Sequence, residues 1–481
     1  MKQTPDNSLL QRAYDAEAFR RDGHSLIEAL AEYLGQSRRA DREQVLTPAS
    51  PQAYWEQWRQ IRHSSDPLSL FHTILEGANH LHHPRYMGHQ VVPPVPLAAL
   101  AELVSDLLNN GMAVYEMGPS ATMIERETIE WLTALCGFHN GGGVLTSGGT
   151  AGNLTALLAA RQAMIAGDVW KRGLPPGMRP AVLVSSQAHY SISRATRIMG
   201  WGEEGCVLVP VKADYSIDIA QLEAKLQDAR QRSLTPIALV GSAGTTSTGT
   251  YDDLTSLARF ARQHKLWFHI DGAHGGAVVV SEQYKHLARG IAEADSVVID
   301  FHKMLLTPAL TTAVLFRKEE DSYKVFSQEA DYLLDKGDRI WYDSAMRTLE
   351  CTKKMMGIKV HFLRKVYGDA LFAEYIDSRY DLARTFASHL GACRHWELAV
   401  PPQSNIVCFR YVPEDLDEAA LNALNVAIRD AFRRDGRFYV VRTNLRDKVY
   451  LRITLMNPFT GISELEEMLE MAEAFGKSSQ G

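Results

Sequence analysis

Apolar residues recur at helical spacing over 8–34, where Leu9, Leu10, Tyr14, Phe19, Leu26, Ile27, Leu30 and Leu34 form a stripe and Gly35 offers a stop. Over 47–96 the prolines Pro48, Pro51, Pro67, Pro84, Pro93, Pro94 and Pro96 predict irregular chain with short helices. Helical patterning returns from 97 to 138, carried by Leu97, Leu100, Leu103, Val104, Leu107 and Leu108, then by Met123, Ile124, Ile129, Leu132 and Leu135. The middle of the chain alternates. Short apolar runs (Val144-Leu145, Ala181–Val184, Ile237–Val240, Leu266–Ile270, Ser296–Ile299) end in small or polar residues, and most lead into helical stretches, near 151–165, 190–199 and 252–263. Strands alternating with helices predict α/β architecture with a mostly parallel sheet buried on both faces. After 345 the chain reads as helical to about 392. A strand over Asn405–Arg410, a helix near 415–434, a hairpin of 438–442 with 449–455 around Asn444–Lys448, and a closing helix over 462–475 then predict a smaller α+β domain.

Composition narrows the class. The chain has 481 residues, 46% hydrophobic and 22% charged, an ordinary globular balance that argues against disorder. Its length gives a prior of about three domains. A net charge of −6 supplies no basic field for a nucleic-acid backbone. Cys136, Cys206, Cys351, Cys393 and Cys408 are scattered, odd in number and free of any C-x-x-C, which predicts a reduced, cytoplasmic setting. No uninterrupted apolar segment of a secretory signal is visible near Met1, and no apolar run approaches the length of a membrane span.

The candidate chemistry sits where predicted strands end. Lys303 follows SVVID directly. A lysine there is either a loop residue reaching solvent or an amine that burial turns into a nucleophile. Asp271 ends LWFHI before Gly272-Ala273-His274-Gly275-Gly276 and is either a helix cap or a carboxylate pointing into the ligand crevice of an α/β sheet. Thr146–Thr150, between a strand and a helix, offers backbone N–H groups to an anion, although it is neither a P-loop nor G-x-G-x-x-G. His189 could stack on a flat ligand or be an ordinary loop histidine, and Gly241–Thr246 adds small hydroxyl donors. An anion cradle, a ring stacker, a ring-nitrogen partner and an amine together suit pyridoxal 5′-phosphate. His80, His82, His83 and His89 lack a carboxylate or cysteine at ligand spacing, so no metal is expected.

The segments TSGGTAGN, AHYS, GTTSTG, HIDGAHGG and DFHKM, in that order, resemble the group II pyridoxal-phosphate-dependent amino acid decarboxylases, the family of glutamate, aromatic amino acid, histidine and 2,4-diaminobutyrate decarboxylases. The resemblance runs from HPRYMGH to LRITLMNP. It implies the fold-type I, aminotransferase-like architecture: an N-terminal helical and extended dimerisation segment over 1–95, a large cofactor-binding domain with a mostly parallel seven-stranded sheet over 96–365, and a small C-terminal α+β domain over 366–481. It also implies a homodimer with shared active sites. By the same resemblance Lys303 forms the internal aldimine, Asp271 pairs with the pyridine nitrogen, and His189 and Ala273 lie on opposite faces of the ring. Gly149, Thr150 and His302 contact the phosphate, and Thr246 lies beside the ring substituents. Arg452 and His89 bind substrate, and Tyr332 protonates the quinonoid carbon after carbon dioxide leaves. The implied reaction is decarboxylation of an L-amino acid to an amine.

Several positions depart from the family pattern. Gly272 replaces an alanine, Arg194 stands where lysine is common, Cys351-Thr352-Lys353 replaces Cys-Gly-Arg, and Phe301 occupies a site usually held by proline or a small residue. Aromatic, acidic and diamino acids all stay open as substrates. Other readings also stay open: another fold-type I enzyme, such as a carbon–carbon lyase or an aldehyde-forming decarboxylase, and a non-catalytic paralogue.

Overall fold

A computed structural model describes residues 8–61, 66–326 and 342–478. Its main sheet has seven strands: β1 (Gly142–Thr146), β2 (Pro180–Ser185), β3 (Cys206–Val209), β4 (Thr235–Ser242), β5 (Trp267–Asp271), β6 (Ser296–Asp300) and β7 (Thr312–Phe316). Their order is β1-β7-β6-β5-β4-β2-β3. Neighbours from β6 to β3 run parallel, and β7 is antiparallel to both β1 and β6. This is the mostly parallel seven-stranded α/β sheet that the family resemblance implied.

Alternation along the strands divides two cores. Leu145, Leu183, Leu239, Val297, Ile299 and Leu315 pack into one, and Val144, Val182, Val240, Val298, Val314 and Phe316 into the other. Both faces are thus dry, which is why these strands read as continuous apolar runs. Because β7 is antiparallel to β1 and β6 alike, β1 points the same way as β6. The carboxyl ends of β1, β2, β4, β5 and β6 therefore share one edge. Register tightens that edge: Ser242 pairs with Asp271, and Asp300 and Thr146 both pair with Thr312.

The described chain forms two compact units. One comprises Gln90–Phe409 with Thr454–Met456 and holds the main sheet; the other comprises the described residues up to His89, Arg410–Ile453 and the chain from Asn457. In the second unit the helices Glu418–Asp435 and Ile462–Ser478 pack through Phe432 and Phe475, with ring centroids 5.3 Å apart. It also carries an antiparallel hairpin in which Val441–Leu445 pairs with residues 448–452. Arg446 and Asp447 join its strands, both at positive φ, as a two-residue hairpin turn requires. The hairpin is therefore tighter than the Asn444–Lys448 loop expected from sequence.

Three strands escaped the apolar-run reading: Cys206–Val209, Thr312–Phe316 and Trp396–Leu398. The stripe over 8–34 is split. Asp15 accepts from the Ala18 amide at 2.7 Å and starts a new helix, which runs past Gly35 to Arg38. Gly35 stays helical, and the left-handed turn comes only at Ala40 (φ 55°). Among the described residues no helix is long and apolar enough to cross a membrane.

Candidate active site

The strand edge encloses a cleft of about 250 Å3. Gly149, Thr150, His189, Thr246, Asp271, Ala273, His302 and Lys303 all line it. The structure thus gathers these eight sequence-selected residues in one place.

After β1 the chain turns at Gly148, whose φ of +128° favours glycine, and enters the helix Gly149–Met164. No side chain caps that helix start. Its first N–H groups lack intrahelical acceptors and carry the positive end of the helix dipole. A Cβ at Gly149 would lie 3.2 Å from both Asp300 oxygens and 3.3 Å from the Ala273 Cβ, so only glycine fits without displacement.

Lys303 sits on the single turn Phe301–Met304 after β6. Its Nζ is 2.9 Å from Asp300 Oδ2, and His302 Nε2 is 3.6 Å from the same oxygen. Thr312 Oγ1 donates to the other Asp300 oxygen. From the sequence Lys303 is either a loop residue reaching solvent or a buried amine; in the structure its side chain is 23% exposed and its partner is the buried Asp300 carboxylate.

Asp271 caps no regular helix. Its Oδ1 accepts from the Ala273 amide at 3.2 Å, and its Oδ2 accepts from Asn153 Nδ2 at 3.0 Å. Asn153 Nδ2 also reaches Ser191 Oγ at 2.8 Å, and Asn153 Oδ1 lies 3.0 Å from His269 Nε2. His269 Nδ1 and Trp267 Nε1 each lie 2.9 Å from Ser296 Oγ. His269 is fully buried, which pushes its pKa down to about 4. His189 Nδ1 is 2.8 Å from Ser191 Oγ, and its ring lies 4.1 Å from that of Tyr190 between centroids. Burial also lowers the His189 pKa, against the pull of the Asp271 charge.

His89 and Arg452 belong to the other compact unit. There His89 Nε2 is 2.8 Å from Tyr439 Oη, and burial together with the charges of Arg452 and Arg429 lowers its pKa. Arg452 is buried on the hairpin. Tyr332 lies outside the described residues. His80 and His83 are hydrogen-bonded to Tyr33 Oη and to the Arg42 carbonyl.

Sequence reasoning missed Asn153, Ser191, His269 and Asp300. Two of them carried a readable signal. Asn153 lies four residues after Gly149, on the same helix face, and His269 lies two before Asp271, on the same face of the strand.

These groups fit pyridoxal phosphate. The uncapped helix start suits a phosphate, a carboxylate held by two donors suits a protonated ring nitrogen, and Lys303 offers the amine for the aldehyde.

Residues 44–412 match the family model described as the pyridoxal-dependent decarboxylase conserved domain. The chain is 28% identical over 423 residues to an aromatic-L-amino-acid decarboxylase of Bacillus atrophaeus, covering 86% of each chain. It is 30% identical over 393 residues to an L-2,4-diaminobutyrate decarboxylase of Rhizobium meliloti, covering 80% of this chain and 76% of that one. The fold superposes on apo mouse CSAD with a TM-score of 0.89 at 24% identity, covering 96% of this chain and 99% of that one. The chain belongs to the group II pyridoxal-phosphate-dependent decarboxylases and is a carboxy-lyase whose cofactor is pyridoxal 5′-phosphate.

Proposed function

We propose that the protein decarboxylates an L-amino acid to the corresponding amine and carbon dioxide, as a cytoplasmic homodimer. The observation that carries the reading is the meeting of the Lys303 amine, the Asp271 carboxylate and the uncapped Gly149 helix start around one cleft. Bound pyridoxal phosphate supplies an electrophilic carbonyl carbon and a ring that takes up the electron pair released as carbon dioxide leaves.

The chain's own residues do the rest. Lys303 provides the amine that holds the cofactor between turnovers, and Asp300, 2.9 Å away, accepts the proton that this amine sheds. Asp271 keeps a proton on the ring nitrogen. His189 and Ala273, which line the cleft, would hold the ring between them, and Thr246 would contact its substituents. Backbone amides of Gly149 and Thr150, with His302, bind the phosphate. Arg452 and His89 would bind the substrate carboxylate. Tyr332 delivers a proton to the carbon that carbon dioxide has left.

A second copy of the chain is supported by an apolar stripe. On the helix Pro96–Leu108, Leu100, Leu103, Val104, Leu107 and Leu108 are exposed at helical spacing within this unit.

The test incubates the holoenzyme with aromatic, acidic and diamino L-amino acids, and measures carbon dioxide and identifies the amine by mass. Equimolar amine and carbon dioxide from one class names the substrate. Conversion without carbon dioxide release overturns the reading.

A further inference from the structure

The hydrogen bonds behind Asp271 can each be given a direction. An ionised carboxylate only accepts, so the Asn153 atom 3.0 Å from Asp271 Oδ2 is the amide nitrogen. The Asn153 oxygen then faces His269 Nε2, and that nitrogen must carry hydrogen. Full burial keeps the His269 ring neutral at pH 7, which leaves Nδ1 as an acceptor. Ser296 Oγ donates to it while accepting from Trp267 Nε1, a group that can only donate. Every bond from the indole to Asp271 therefore runs the same way.

A branch follows from the same amide. Its second hydrogen goes to Ser191 Oγ. His189 Nδ1 accepts the Ser191 backbone N–H at 3.3 Å and faces the Ser191 hydroxyl. His189 thus carries its proton on Nε2. One asparagine amide links the groups proposed for the ring nitrogen and the ring face.

We propose that Trp267, Ser296 and His269 are positioning residues: they lock the Asn153 amide with its nitrogen toward Asp271, and so hold that carboxylate ready for the cofactor's ring nitrogen. The inference rests on the reading that Asp271 meets that nitrogen. Without the His269 donor, only Ser191 Oγ and Asp271 itself oppose the Asn153 amide turning over. Its oxygen would then face Asp271 Oδ2, replacing a donor with a repulsive acceptor, and the carboxylate would keep only the Ala273 amide.

The experiment titrates the cofactor-free protein with pyridoxal phosphate and with its deaza analogue, in which C–H replaces the ring nitrogen, following absorbance of the bound ligand. Wild type is expected to prefer pyridoxal phosphate. His269→Phe should lose roughly tenfold of that affinity, the equivalent of one charged hydrogen bond, and bind the analogue as wild type does. His269→Gln, whose amide can donate to Asn153 Oδ1, should recover most of the loss. Asn153→Leu should show the same selective loss and serves if His269→Phe does not fold, as checked by thermal unfolding of the cofactor-free form. Equal affinity of wild type for both ligands would remove the Asp271 contact and the inference with it. If wild type discriminates and the variants discriminate equally well, the relay is overturned while the reading of Asp271 stands.

Discussion

The surroundings of Lys353 make it a sharp test of how burial governs a charge. Its Nζ contacts Glu125 Oε1, and both side chains are buried, Lys353 at 3% and Glu125 at 7% exposure. Burial holds the amine below the ordinary lysine range even with Glu125 beside it. The same Glu125 oxygen accepts the Leu145 amide of β1 at 3.0 Å. Lys353→Met would leave a buried carboxylate with that single donor, at a cost of about 3–5 kcal/mol. Glu125→Gln keeps an acceptor for Leu145 but strands the ammonium, and should cost a similar amount. The double variant removes both charges while keeping the Leu145 bond, so it should cost only about 1–2 kcal/mol. The four proteins form a cycle read by urea unfolding, with a coupling of several kcal/mol expected. Cofactor affinity should fall along with stability in the single variants, because Leu145 is followed at once by Thr146 and the Ser147–Gly149 turn. Additive single effects, or a Lys353→Met variant within about 1 kcal/mol of wild type, would refute this view of the pair.

Lys303→Ala should abolish turnover and the visible absorbance of the bound cofactor, and borohydride should then add no cofactor mass to the chain. Gly149→Val should lower cofactor affinity by at least about tenfold with a smaller loss of stability, since its side chain would press on Asp300 and Ala273; unchanged affinity in an absorbance titration would contradict the cradle. Asp252 is buried and accepts from the Ile217 and Ser242 amides, and burial pushes its pKa up to about 6. A raised carboxyl pKa adds stability as pH falls through the folded value and loses it as pH rises. Wild type should therefore gain about 1 kcal/mol over Asp252→Asn from about pH 7 to about pH 5, and parallel unfolding curves would refute it. Tyr332→Phe should divert product from amine toward aldehyde, as resolved by mass spectrometry.

What was legible in the chain follows from local physics. Apolar runs such as Val182–Val184 and Val297–Ile299 announce strands because both faces are buried, and the small or charged residues after them mark the open edge. Lys303, Asp271, His189 and Gly149 were visible because each stands at such a break. Strand Thr312–Phe316 was hidden because it follows the Lys303 turn without a helix, which a strand–helix rhythm leads one to expect. Asp300 was read as the end of a strand, and only the three-dimensional turn brings it under Lys303. Asn153 and His269 act through each other across a helix and a strand, and no local pattern encodes that pairing.

The antiparallel seam between β1 and β7 constrains how the molecule is made. Gly142 pairs with Phe316 and Thr146 with Thr312, so the strand that leads into the Ser147–Gly149 turn has no partner until the ribosome has delivered a segment far downstream. During synthesis β2, β4, β5 and β6 can assemble first, and β1 must wait outside the growing sheet as an unpaired strand. Nascent chains ending before Thr312 should be unable to capture the vitamin-derived ligand, whereas those that extend beyond Phe316 can close that edge.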